Sequence, residues 1–138
     1  MKQLAIAAVG TGVLGIALAF GAGVAVGQQN PPTENKGVTV SPPTTLDLGQ
    51  EIDSTEGRQL RLRVVTLEPG GVVGIHSHKG RPGVAYVLQG TLTESREGGA
   101  VKQRQPGESW SEGKDTTHWA ENKGDKPVVL VAVDVFKP

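Results

Sequence analysis

Residues 70–90 read GGVVGIHSHKGRPGVAYVLQG, and their punctuation decides the fold. Two short runs rich in β-branched and apolar residues, Val72–His78 and Val84–Gln89, are held apart by Gly80, Pro82 and Gly83 and bounded by Gly70, Gly71 and Gly90. Neither run repeats with a helical period, so both read as strands. In a strand, residues i and i+2 point to the same face, so the imidazoles of His76 and His78 can converge on one ion. His118 is the third and last histidine of the chain, and from a neighbouring strand it would complete a triangular set. Read alone, His-Ser-His is equally compatible with a solvated pair on an edge strand.

The same texture continues on both sides. Gln59–Leu67 alternates Leu60, Leu62 and Val64 with Arg61, Arg63 and Val65, which suits a strand with one face buried and the other partly exposed. Glu68-Pro69-Gly70-Gly71 then turns the chain. Downstream, Gly90 hands over to a polar strand, Thr91–Arg96, and Gly98-Gly99 makes a hairpin turn into Ala100–Gln105. Pro106-Gly107 and Gly113-Lys114-Asp115 bracket Glu108–Glu112, Thr117–Glu121 follows, and Pro127–Phe136 is the most apolar run. About eight short strands at regular spacing specify an all-β domain, and a small double-sheet barrel of the jelly-roll kind protects their edges economically.

Charge and composition exclude other classes. Fourteen basic residues balance fourteen acidic ones without a Lys/Arg-rich run, so no nucleic-acid partner is expected. Cysteine is absent, which leaves nitrogen and oxygen as the donors for any metal. At the N-terminus Lys2 precedes an apolar stretch, Leu4–Val26, and Ala25 and Gly27 supply the small residues of a cleavage site. Residues 1–27 therefore read as a signal peptide that exports the chain, in a bacterium to the periplasm. Because a bilayer-spanning helix needs about 20 apolar residues, an uncleaved N-terminal anchor is the alternative, and only then is a membrane a partner. Residues 28–45, with Pro31, Pro32, Pro42 and Pro43, read as an extended linker ahead of a domain at 46–138.

The spacing of the glycines and histidines resembles the cupin family. Its first motif, G-x5-H-x-H-x3,4-E-x6-G, is matched by Gly70, His76, His78 and Gly90, with Gly83 standing where the family has Glu. Its second, G-x5-P-x-G-x2-H-x3-N, is matched by Gly107, His118 and Asn122, with Gly113 and Asp115 replacing its Pro and second Gly. Sixteen residues separate the motifs, as in compact bacterial cupins, and the resemblance covers roughly residues 46–136. It implies that His76, His78 and His118 meet around one divalent metal, whether Fe, Zn, Cu, Ni or Mn, and that the chain pairs as a homodimer. Some cupins use three His without Glu, among them oxygenases, so the resemblance implies either an oxygenase-like, metal-dependent enzyme or a non-catalytic binding module. A degenerate structural barrel is the remaining alternative.

Three imidazoles leave the full charge of a divalent ion to be offset, which favours a small anionic ligand. If position 83 faces the ion, strand parity puts Ala85 and Val87 on the same side, giving a small apolar wall, and sends Tyr86 to the opposite face as a core residue. Arg81, in the loop before that strand, could meet an anion at the barrel mouth. Trp119 points away from the side of His118 and suits packing, and Asn122 suits fixing a turn. Glu68, Glu94, Glu108, Glu112 and Glu121 all lie outside the motif position for a carboxylate, and Glu68, just before a turn, is the one worth testing as a substitute. No catalytic residue is assigned.

Overall fold

Nine strands and one 3-10 turn make up the described residues, 30–138, of the computed structural model, and the expected signal segment at 1–27 lies outside them. In chain order the strands are β1 (Lys36–Val40), β2 (Thr44–Asp47), β3 (Gln59–Ser77), β4 (Gly83–Gln89), β5 (Leu92–Arg96), β6 (Val101–Arg104), β7 (Ser109–Glu112), β8 (Thr117–Glu121) and β9 (Val128–Phe136). They form one hydrogen-bonded sheet in the order β6-β5-β8-β3-β9-β4-β7, with β1 and β2 added to β3.

The long strand β3 explains how one sheet becomes a barrel. Its first half pairs with β9, from Gln59 opposite Phe136 to Leu67 opposite Val128, and its second half pairs with β8, from Val72 opposite Glu121 to Ser77 opposite Thr117. Between the halves lies Glu68-Pro69-Gly70-Gly71. This tetrad was expected to separate two strands, but here it bends one strand without breaking it. Gly70 adopts φ +74°, and at Gly71 an added Cβ would meet the Glu68 carbonyl oxygen at 2.7 Å, so the corner requires glycine. The four-strand half β6-β5-β8-β3 thereby faces the half β3-β9-β4-β7, and Val65, Leu67, Ala85, Leu92, Ala120, Val128 and Leu130 from both halves share one core.

Two expectations change. The stretch expected as a free linker is extended, but β1 and β2 hydrogen-bond onto β3, so the sheet begins at Lys36, ahead of the expected domain start at 46. Further upstream, Ile75 N donates to the Pro32 carbonyl and Gly74 N to Asn35 Oδ1, tying residues 32–35 to the far half of β3. Tyr86, expected in the core, is 44% exposed on the outer surface, because no other layer of the described residues covers the outward face of β4.

The inward face of β3 is also the one that looks polar in sequence. Arg61 and Arg63 lie opposite the inward-facing Asp134 and Ala132 of β9, while Leu62 is turned out. Along β3 and β9 the interior therefore grades from a dry floor (Leu67, Val128, Leu130) to a charged upper end (Arg61, Arg63, Asp134). Val87, with no exposed surface, belongs to the floor, and Ala85 sits above it.

Candidate metal centre and ligand pocket

A bulge in β3 puts two of the three histidines in position. Val73 lies opposite Ala120 and His76 opposite His118, so three steps on β3 span two on β8. The extra residue resets the alternation: Val73 packs on the core, and His76 and His78 nevertheless face the same interior. Gly74 sits in the bulge because a Cβ there would meet the Thr33 carbonyl oxygen at 2.6 Å. His118 then arrives from β8 as the direct cross-strand partner of His76.

The three imidazoles form one cluster. Nε2 of His118 lies 3.1 Å from Nε2 of His76 and 3.1 Å from Nε2 of His78, and the three ligand atoms all lie within 4.8 Å of one another. The opposite ring nitrogens determine what these atoms can be. Nδ1 of His76 is 2.9 Å from the Gly74 carbonyl oxygen, Nδ1 of His78 is 3.2 Å from the Arg81 carbonyl oxygen, and Nδ1 of His118 is 3.1 Å from Glu94 Oε1. A carbonyl oxygen or an ionised carboxylate only accepts, so each Nδ1 carries a proton, and a ring with no second proton offers a bare Nε2 lone pair. Three lone pairs pointing at one another repel, and a cation between them removes the conflict. The 3.1 Å spacings suit neighbouring ligands that each sit about 2.0–2.1 Å from a shared ion.

Burial keeps two of the rings neutral. His76 titrates below its ordinary value because it is desolvated, an effect partly offset by its bond to Gly74 and reinforced by the neighbouring imidazoles. His78 is held down to about 4 by the same desolvation and by His118 alongside. Both are ready to bind a metal at neutral pH without first losing a proton.

Two carboxylate clusters flank the histidines. Glu94, on β5, is 1% exposed; burial alone would raise its pKa, yet hydrogen bonds from His118, Arg104 and Arg96 hold it down to about 2. Arg104 donates from Nε at 2.8 Å and from its terminal nitrogen at 2.6 Å, and Arg96 donates from Nε at 2.8 Å. An imidazole whose second nitrogen donates to a carboxylate is a more basic and better oriented metal ligand. Asp134, on β9, binds Arg61 through two bonds of 3.0 and 2.8 Å, Arg63 at 3.0 Å and Arg81 at 3.4 Å. Burial would raise the Asp134 pKa too, but the Arg61 bonds and the charge of Arg63 lower it.

A third acid, Glu112 at the end of β7, completes the surroundings. Its Oε2 lies 3.3 Å from His78 Nε2 and its Oε1 3.6 Å from His118 Nε2, while Trp110 Nε1 donates to Oε1 at 2.9 Å. Arg104, which grips Glu94, also stacks on the Trp110 ring at 4.7 Å. Glu68, the acid singled out from sequence, is exposed and does not line this pocket, so Glu112 and Glu94 take the place intended for it.

The cavity beside the histidines has a volume of about 290 Å³, at the small end for ligand pockets. Ala85, Arg63, Arg81, Trp110 and Leu92 are on its wall, and Thr33, Asn35 and Val38 close it from the N-terminal side. Among the residues expected to form the ligand wall, Ala85 and Arg81 line this cavity, Val87 lies in the floor beneath it, and Gly83 is set against β9. Trp119 lies in a separate cleft with Pro31 and Pro32, a packing position. Asn122 fixes a turn: its Nδ2 donates to the carbonyls of Leu67 and Lys126, and its Oδ1 accepts from Gly124 N.

The fold has many solved counterparts. One is an uncharacterized conserved protein with a double-stranded β-helix domain from Klebsiella pneumoniae, with 22% identity and a TM-score of 0.53, covering 56% of this chain and 68% of that one. Another is a predicted oxalate decarboxylase from Thermotoga maritima, with 19% identity and a TM-score of 0.50, covering 68% and 91%. A third is the cupin domain of an XRE family transcriptional regulator from Enterobacter cloacae, with 18% identity and a TM-score of 0.53, covering 75% and 99%. At such identities the likeness is one of fold. No curated protein matches the sequence. The family model described as Cupin domain matches residues 63–135, from the inward Arg63 to the end of the last strand, and with more than half of its length so matched the chain belongs to the cupin family.

Proposed function

We propose that this protein holds a divalent metal between His76, His78 and His118 and takes up a small anionic molecule in the adjoining cavity. The observation that carries the reading is the convergence of three Nε2 lone pairs with every Nδ1 committed to an acceptor. Nitrogen donors favour Fe, Zn, Cu or Ni over Mg or Ca. When bound, such an ion supplies a Lewis acid or a redox centre. The chain's own contribution is to orient the imidazoles and to attract the ligand. Arg61, Arg63 and Arg81 share one carboxylate, Asp134, which leaves positive charge in excess on that wall. Arg63 Nε is buried without a hydrogen-bond partner among the described residues, a donor for a ligand oxygen.

Catalysis of an oxygenase-like or other metal-assisted kind is the leading form of this reading. The specific observation favouring a non-catalytic binder is that Glu94 and Asp134 are both tied to arginines, so neither is free to move a proton. The reading also places the mature chain outside the cytoplasm, and as a homodimer whose second copy covers the outward apolar row Leu62, Val133 and Val84.

Elemental analysis of protein recovered from its native compartment should find about one transition-metal ion per chain, lost in His118→Ala; protein that never carries metal would defeat the proposal. Calorimetric titration of the metal-loaded protein with oxalate, the dianion named in the Thermotoga neighbour's description, and with other small carboxylates tests the anion. Oxygen uptake by the iron-loaded form then separates enzyme from binder.

A further inference from the structure

We infer that Glu112 is the fourth ligand of the metal centre, and that it replaces from the neighbouring strand the carboxylate missing at position 83. The inference rests on the metal-binding reading and adds a residue outside the sequence motif.

Register makes the replacement direct. Gly83 on β4 and Glu112 on β7 are cross-strand partners, so the acid comes from the residue hydrogen-bonded opposite the one where it is absent. Position 83 itself is closed to a side chain. A Cβ there would lie 2.7 Å from the Val133 carbonyl oxygen and 3.2 Å from Asp134 Cβ, both on β9, so any larger residue must displace backbone. The glycine is thus a requirement of close packing between β4 and β9, and the acid is carried by the strand on the other side.

The chemistry of the Glu112 surroundings selects a cation. Its two oxygens approach the Nε2 atoms of His78 and His118 at 3.3 and 3.6 Å. Those nitrogens are bare, because their rings hold the proton on Nδ1 against the Arg81 carbonyl and Glu94. The Nε2 atoms of His78 and His118 therefore meet the carboxylate, and His76 Nε2 lies 3.1 Å from that of His118. Trp110 Nε1 fixes one carboxylate oxygen, Oε1, and no hydrogen bond is donated to Oε2 among the described residues. Glu94 and Asp134 differ in this respect: each has both oxygens occupied by guanidinium donors. Glu112, 8% exposed and gripped at one oxygen, is the acid left with an oxygen for the ion.

The experiment compares wild type with Glu112→Gln, an isosteric change that removes the charge. Protein stripped by chelator is reloaded with Co(II), and affinity is read by competition against a chromophoric chelator while visible absorption reports the ligand field. We expect Glu112→Gln to weaken Co(II) binding about tenfold or more and to change the d–d spectrum. Equal affinity and an unchanged spectrum, with wild type still binding one ion, would overturn the assignment and leave the three-histidine site intact. A wild type that binds no Co(II) would instead defeat the metal-binding reading itself. Thermal unfolding of the stripped proteins gives a second readout. Removing one acceptor from a cluster of acceptors, and offering an amide N–H in its place, should leave Glu112→Gln as stable as wild type or more so. A clear loss of stability in the stripped variant would mark Glu112 as a partner of protonated histidine and count against the assignment.

Discussion

Glu94 and Asp134 are both buried and both ringed by arginines, yet they are built for opposite ends. Glu94 belongs to the half of the barrel formed by β6, β5, β8 and the far part of β3, and two arginines and His118 saturate its oxygens. Asp134 belongs to the opposite half, and there three arginines compete for one carboxylate, Arg81 reaching it at only 3.4 Å and Arg63 Nε finding no partner. In the first cluster both carboxylate oxygens are filled, and the acid orients a metal ligand. The second is over-supplied with donors and faces the space where a ligand would sit. The number of arginines per acid, more than burial, separates a part that holds the site together from a part that waits for something to bind.

Removing each acid should break the comparison most visibly. Glu94→Ala leaves Arg104, 13% exposed, and the buried His118 without their carboxylate, while Arg96, 34% exposed, can turn to water, so it should cost about 3–5 kcal/mol in chemical denaturation. The same variant should weaken metal binding about 10–100-fold, since His118 loses the bond that orients it. Asp134→Ala should cost less, about 1–3 kcal/mol, because two of its arginines, Arg63 and Arg81, border the cavity and can turn to water. Equal losses in the two variants would erase the distinction. Arg63→Met sharpens it further: stability should stay within about 1 kcal/mol, while carboxylate affinity in calorimetry should fall about tenfold for the lost charge-assisted bond. Metal stoichiometry in that variant should not change.

Acid is the gentlest probe. His78 stays neutral in the fold down to about 4, whereas the unfolded chain takes up that proton near 6.5. In that window the unfolded state binds more protons, so the melting temperature of the metal-stripped protein should fall as pH drops from about 6.5 towards 4. Glu94 acts in the same direction lower down, because the folded carboxylate stays ionised to about 2 while the unfolded one protonates near 4.5. Asp134→Ala should retain the upper part of this decline, and His78→Gln should shrink it to the share of His76, which is also held below its ordinary value.

Much of this architecture could be read in the chain. Alternation and Gly/Pro punctuation located the strand-forming runs from residue 59 to Phe136, because most are short and end where a side chain would obstruct a turn, but it split the long β3 at residues 68–71, where the chain bends and continues. The three histidines were legible because i, i+2 spacing on a strand has a single geometric meaning, and the motif spacing tied His118 to the pair. Three things were hidden. The inward Arg61 and Arg63 sit on the face that binary patterning gives to solvent, since a charged pocket inverts the usual sense of inside. β1 and β2 lie in proline-bearing sequence whose pairing with β3 leaves no periodic trace. Glu112 and Glu94 were ordinary acids until pairing was known: that Glu112 stands across from Gly83 depends on which of many strands adjoins β4, and this is a property of the sheet.

The bulge at Gly74 makes the metal centre tolerant of a change in chain length. Because it absorbs one surplus residue between Val73 and His76, deleting that residue would leave His76 two steps from Val73, on the same inward face and still opposite His118, with the upstream pairing with β9 untouched. Descendants of such a chain would shed or regain one codon here and keep both the scaffold and its inorganic chemistry.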